Sequence, residues 1–395
     1  MRKVLFFLLL STCTRIADHP TGRLWGVTER APVQEQPYVQ AEGDTVAYVL
    51  AVEYPEGAPW QMFGEYSACH LSVFASQKKI ISVPAGEGTS LVPSTDRNRL
   101  VGGHLYSYAF VGVDTIIYKD GEELFRYPFW EFLRGFAVTP EGVYTLGQGA
   151  SYDGFSLRLD GLELFSRSSG TIVGEEDFTV RSEGALFRTD EDFSFAYMST
   201  VGDFYIVRGL FPEVVSFQDD VDKVLDVKYI DNEYYVVALR RDGRLGVYAG
   251  GKRKIVFDLN DSKAIHSACL LSQAGRIFLK AHFHLPESGE RLYVWDLRGN
   301  AVFRSESSVW LYMEDASLFW YGFPGDDWEY DGAAKIPLSS VGDRLYSPRC
   351  AVLRDGHRYA AVTATDNMMY PYLLRDGRRL AIAVNGYLID IEVIP

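Results

Sequence analysis

The sequence predicts an all-β chain assembled from like antiparallel units, and three observations carry that reading. Val and Ile are frequent and aromatics reach 14%, with 25 Tyr and 24 Phe in 395 residues, while no long stretch has helical periodicity. A hairpin signature recurs: residues 115–127, TIIYKDGEELFRY, are two β-rich runs joined at Asp120-Gly121, a dipeptide suited to a tight turn with both central residues at φ > 0. Residues 155–167, FSLRLDGLELFSR, repeat it 40 residues on, and looser copies follow at 203–217, 245–257, 292–303 and 372–384. Lastly, one strand is left over at the C-terminus. A recurrence of 40 to 49 residues implies stacked units, because one small antiparallel sheet cannot bury its own faces.

The units follow from the turns. In 223–258 the candidate strands are 224–230, 234–240, 245–248 and 254–257, separated by Asp231-Asn232, Asp242-Gly243 and Gly250-Gly251. Every connection is short, so consecutive strands are antiparallel neighbours in a meander. The next unit repeats the order at 264–271, 276–285, 291–296 and 301–304. Earlier stretches 182–217, 132–167 and 98–127 divide the same way, and 310–338 is a shorter copy or an insertion. The last full unit has strands 350–353, 358–365, 370–375 and 379–384, turning at Asp355-Gly356 and Asp376-Gly377.

Strand 387–394, YLIDIEVI, belongs to no four-strand set of its own. The first unit, 44–83, has only three candidate strands, 46–53, 70–75 and 79–83, so the C-terminal strand can complete it. Four-stranded meanders repeated radially, with the two chain ends in one sheet, resemble a β-propeller. The resemblance implies eight blades over 44–395, or seven if 310–338 is only an insertion. Neither the Gly-His and Trp-Asp dipeptides of the WD40 type nor the double glycines of kelch recur in register; Trp295-Asp296 occurs once.

Residues 1–12 read as an export signal: Arg2 and Lys3, the apolar run 4–10, then small polar residues, too short to span a bilayer. Leu10-Ser11-Thr12-Cys13 resembles the lipobox of bacterial lipoproteins, although that family usually has Gly, Ala or Ser where this chain has Thr12. The resemblance implies acylation of Cys13 and an exported chain at the bacterial cell envelope, lipid-anchored or periplasmic. Residues 13–43, Pro-bearing and without apolar period, then form a tether. Cys69, Cys269 and Cys350 have no CxxC spacing and read as small buried hydrophobes. A net charge of −14 disfavours nucleic acid, and Lys252-Arg253-Lys254 reads as a solvated strand edge.

Few motifs carry chemistry. His282 and His284 in AHFHL are two apart on an expected strand, so both rings face one side as a metal pair can, with His104 or His266 the available third ligands. Asp327, Glu329 and Asp331, followed by Gly332, open like a calcium-binding loop, but the twelfth position is Leu338 rather than Glu, which excludes an EF-hand and leaves a short acidic calcium loop. Acidic clusters at 175–177, 190–192 and 219–222 could supply paired carboxylates for glycoside hydrolysis, with solvated loop acids as the plainer account. GxSxG, HExxH and P-loop motifs are absent. Trp60 and Trp328 sit in loop-like sequence and are candidate platforms for a glycan or anchors for a protein. The expected function is a non-catalytic extracytoplasmic scaffold for a protein or glycan, without a required cofactor. The alternatives are a hydrolase or lyase at a central channel and a structural subunit of an envelope complex.

Overall fold

Short turns decide the topology. Asp120 and Gly121 have φ of 53° and 87°, Asp160 and Gly161 48° and 81°, and Asp231 and Asn232 49° and 63°, so each two-residue turn returns the chain directly onto its neighbour. In the computed structural model of the chain the described residues are 46–55, 67–75, 78–94, 97–128, 131–149, 154–174, 185–188, 193–257, 265–273, 276–285, 289–305, 310–314, 317–321, 328–330, 335–337, 345–354, 357–364, 371–375, 378–381 and 386–394. They form eight antiparallel sheets within one compact unit.

Sheet 1 orders Lys78–Ala85, Cys69–Ala75, Val46–Glu53 and the C-terminal strand Gly386–Ile394. Sheets 2 and 3 span 98–128 and 131–167, sheet 4 171–214, sheet 5 221–257, sheet 6 265–305, sheet 7 310–337 and sheet 8 345–381. Apart from sheet 4, each of these has four strands in sequence order. The expected pairing of the last strand with the first unit is present: Val46 lies opposite Ile394 and Glu53 opposite Gly386, with one register shift between Leu50 and Ala51.

Sheets 4 and 8 depart from the sequence reading, whereas 310–337 follows its shorter-copy alternative. Sheet 4 begins at Thr171–Val173 rather than near residue 182, and Phe187–Arg188 adds a fifth strand beside Phe193–Met198. A three-residue strand is too short to show a period of two, so the sequence hides it. Residues 310–337 make a four-stranded sheet of their own, not an insertion. The first strand of sheet 8 is Leu345–Arg354, with its register broken between Tyr346 and Cys350.

The core lies between successive sheets. Tyr106, Tyr108 and Ile117 of sheet 2 pack on Leu133, Phe136 and Val143 of sheet 3. Phe155 and Leu157 of sheet 3 meet Phe195 and Tyr197 of sheet 4, and Val237 and Leu245 of sheet 5 meet Leu270 and Leu279 of sheet 6. Leu373 of sheet 8 joins Ala47, Val49 and Leu388 of sheet 1, which in turn packs Leu50 and Ile389 with Leu100 and Leu105 of sheet 2.

Buried acceptors stitch these layers together. Asp226, 1% exposed in the first strand of sheet 5, accepts the Leu270 N–H of sheet 6 at 2.8 Å. Asp390 accepts the Leu100 N–H at 2.8 Å in the same manner, and Gln148 of sheet 3 accepts the Ile172 N–H of sheet 4 at 2.7 Å. Asp226→Ala is expected to cost about 2–3 kcal/mol in a denaturant titration, because an N–H buried between two sheets loses a charged partner. Asp226→Asn, which keeps an acceptor, is expected to cost less; equal losses would show that the hydrogen bond contributes nothing.

Candidate functional site

Several exposed apolar side chains lie on the outermost strands, although the most exposed of all, Val201 at 82%, is in the turn between Phe193–Met198 and Phe204–Arg208. In sheets 1, 2, 3, 5 and 6 the outer strand has a bulge a few residues past its turn, at Ile80, Leu124, Leu164, Lys254 and Val302. A bulge twists an edge away from foreign strands, which answers the hazard of leaving backbone groups unpaired. Apolar groups nevertheless face solvent there: Leu162 is 73% exposed, Phe211 75% and Val214 59%, with Ile80 and Leu124 also exposed.

Turns before these strands are seated on the sheet before or on the segment that leads from it. A Cβ on Gly121 would lie 2.7 Å from Val83, one on Gly161 3.2 Å from Phe125, and one on Gly251 2.2 Å from the Ser216 carbonyl oxygen. Glycine is thus required twice over, by positive φ and by close approach.

The acids at 219–222 are largely engaged. Asp219 contacts Arg240 Nη1 at 3.3 Å and Arg253 Nη1 at 3.1 Å, and it accepts from the Tyr248 hydroxyl at 3.1 Å. Asp220 pairs with Arg241 and Lys254 with Glu233. Burial and the neighbouring Asp219 carboxylate push the Tyr248 hydroxyl up to about 12, so it stays a donor. Clusters 175–177 and 190–192 lie outside the described residues.

The other sequence candidates fall as follows. His282 and His284 are both in Arg276–Leu285, paired with Leu292 and Glu290; His282 is half-buried, and the His284 side chain is outside the described part. His104 holds Asp120 Oδ2 at 2.7 Å through Nδ1 in sheet 2, and His266 falls at a bulge in Ile265–Gln273. Among the described residues no three His, Cys, Asp or Glu side chains gather as a metal site would require. Trp328 corrects the loop reading: it lies in the strand Trp328–Tyr330, with its Cα opposite those of Trp320 and Pro337. Glu329 is in the same strand, so 327–332 is not one continuous loop. Aromatic residues favour a pleated surface over a turn, and that preference prevails here. Cys13, Trp60, Asp327 and Asp331 lie outside the described residues.

Cys69 and Cys269 are buried and form no disulfide. Burial pushes the Cys69 thiol from its usual 9.0 up to about 11, and its Sγ donates to the Ala85 carbonyl at 3.5 Å. Because the folded value is raised, this group's contribution to stability is full below pH 9.0 and is lost as pH rises towards about 11. Alkylation of Cys69 at about pH 8 is expected to be at least ~100-fold slower in the native chain than in denaturant. Equal rates would contradict the burial.

No protein-family model matches the chain, and no curated protein matches it. Among solved structures it is similar to the computationally designed protein Ika8, at 13% identity and a TM-score of 0.46, over 74% of this chain and 88% of that one. It is similar to the C-terminal WD40 domain of Sif2 at 11% and 0.42, covering 76% and 88%. The β-propeller domain of the Trilobed protease from Pyrococcus furiosus gives 11% and 0.36, covering 64% and 83%. With TM-scores below 0.5, these likenesses extend to neither a shared site nor a shared partner.

Proposed function

We propose that the chain is an exported scaffold whose eight sheets are the blades of one β-propeller, closed by Gly386–Ile394, and whose outer rim binds a protein. The observation that carries the binding role is the exposure of Leu124, Leu162, Phe211 and Val214 on successive outer strands. Aliphatic side chains reward burial against a protein surface, whereas glycan recognition calls for flat aromatic platforms, so a protein is the better fit. The circular arrangement is supported by the packing of sheet 8 on sheet 1 and of sheet 1 on sheet 2. Export and anchoring rest on residues 1–13 alone.

A photo-crosslinking residue at position 162 is expected to trap one discrete adduct in cells that make the protein. Leu124→Ser with Leu162→Ser is expected to abolish that adduct while moving Tm by less than about 2 °C, since surface changes of this kind are nearly neutral. A diffuse smear, or the same adduct from the charged position 252, would overturn the rim assignment. The anchor has its own test: Cys13→Ala is expected to move the chain from the detergent phase to the aqueous phase, because acyl chains supply the membrane affinity.

A further inference from the structure

We propose that the junction of the outer strands of sheets 5 and 6 is a docking site for an acidic protein segment, separate from the apolar rim of sheets 2 to 4. The two outer strands, Lys252–Phe257 and Ala301–Ser305, and the turns leading into them hold Lys252, Arg253, Lys254, Arg298 and Arg304 and no carboxylate. All five cations are exposed. The imbalance extends through both sheets: the described side chains of 221–305 include eleven Lys or Arg against six Asp or Glu, in a chain whose net charge is −14. The carboxylates nearest the junction are engaged. Asp219 is held by Arg240 and Arg253, Glu233 pairs with Lys254, and Asp296 accepts the Arg298 and Asn300 N–H groups. Among the described residues Lys252 has no ion-pair partner.

Packing gathers these cations around one apolar seam. Tyr235 and Ile255 of sheet 5 and Tyr293 and Leu297 of sheet 6 belong to a single cluster, and each is half-buried. Lys254 Nζ lies 6.0 Å from the Tyr235 ring centroid and the Arg304 guanidinium 5.2 Å from that of Tyr293, one cation reaching in from each outer strand. A Cβ on Gly299 would lie 3.2 Å from Ile255, so the turn bearing Arg298 rests on the outer strand of sheet 5. An apolar strip bordered by cations complements a segment whose Leu-like residues are interspersed with Asp or Glu. Lysines on a sheet edge also repel foreign strands, but that role needs no apolar seam beside them. Both strands bulge, at Lys254 and Val302, so the segment is held by side chains rather than as an added strand. A bilayer or another polyanion would use the charge and leave the seam idle.

The test uses the full chain and fluorescence anisotropy with three labelled peptides of about 20 residues, one of Glu and Leu, one with every Leu replaced by Ser and one with every Glu replaced by Lys. The Glu/Leu peptide is expected to bind about tenfold more tightly than either of the others at about 0.15 M salt. Lys252→Glu with Arg298→Glu is expected to erase that preference while moving Tm by less than about 2 °C, and Lys252→Arg with Arg298→Lys to keep it. Should the charge-reversed variant fail to fold, the native chain still decides: raising salt from about 0.05 to 0.5 M is expected to weaken Glu/Leu binding about tenfold, and an unchanged affinity overturns the proposal. Equal binding of the Glu/Leu and Glu/Ser peptides also overturns it, as does displacement of the Glu/Leu peptide by phosphatidylglycerol vesicles or a dimer in sedimentation that charge reversal dissolves. A preference that survives charge reversal but disappears with Leu124→Ser and Leu162→Ser refutes this site while leaving the rim scaffold standing.

Discussion

Removal of Gly386–Ile394 is expected to abolish the cooperative thermal transition. The strand pairs with Val46–Glu53 along its length and buries Leu388, Ile389, Ile391 and Val393, each 8% exposed or less. Four such side chains are worth about 8 kcal/mol of apolar burial, comparable with the roughly 5–15 kcal/mol by which a whole domain is stable. The same strand also holds sheet 2: Asp390 accepts the Leu100 N–H, Glu392 accepts those of Gly102 and Gly103 at 2.9 Å each, and the Tyr387 hydroxyl donates to the Pro93 carbonyl at 2.8 Å. Truncation therefore opens a sheet edge and removes the link between two neighbouring sheets together. Circular dichroism melts read the result directly, and an unchanged midpoint would sink the closure. Glu392→Gln is the milder companion, expected to lower Tm by only a few degrees because its N–H partners lie at the surface.

The second large effect is expected at Gly251. An alanine there must adopt φ near 75° and place its Cβ 2.2 Å from the Ser216 carbonyl oxygen, in the segment linking sheets 4 and 5. Conformational strain of about 1 kcal/mol and overpacking of about 1–3 kcal/mol together give a loss of about 2–4 kcal/mol. The Gln218 N–H donates to the Gly251 carbonyl at 2.9 Å, so a shift that relieves the clash also strains that bond. Gly112 is the control: its φ is 65° but nothing lies within 4 Å of an added Cβ, so Gly112→Ala is expected to cost only about 1 kcal/mol. Urea titrations at constant slope separate the two, and equal losses would mean that turn conformation alone matters.

The candidate site was the least legible part. Trp60 and Trp328 sit beside Pro or acids, a cue about local polarity that says nothing of which strand a residue pairs with; Trp328 is opposite Trp320. The apolar rim was missed because Leu124, Leu162 and Phe211 occur in runs indistinguishable by composition from buried strands. The one visible signal was Leu210, standing where the matching turns have Gly121 and Gly161. The partners of Asp219 are equally hidden: three acids in four residues allow paired carboxylates or solvated loop acids, but Arg240 and Arg253 meet Asp219 from residues 21 and 34 positions away.

The hairpins themselves were readable because a two-residue turn is a local event: Asp120-Gly121 and Asp160-Gly161 state their dihedral preferences within the dipeptide, and strands of alternating or aromatic residues follow from either side. The partnership of Gly386–Ile394 with the first unit was readable too, since a set of three strands and a single spare one have a simple solution. Packing between sheets was not. Asp390 reaches Leu100 across 290 residues, Gly121 meets Val83, and Thr171–Val173 is a strand because Ala196–Met198 lie opposite it. Such contacts depend on where a whole sheet is placed by its neighbours, and no pattern within a few residues encodes that distance; whether a leucine is core or rim is settled only when the next sheet does or does not cover it.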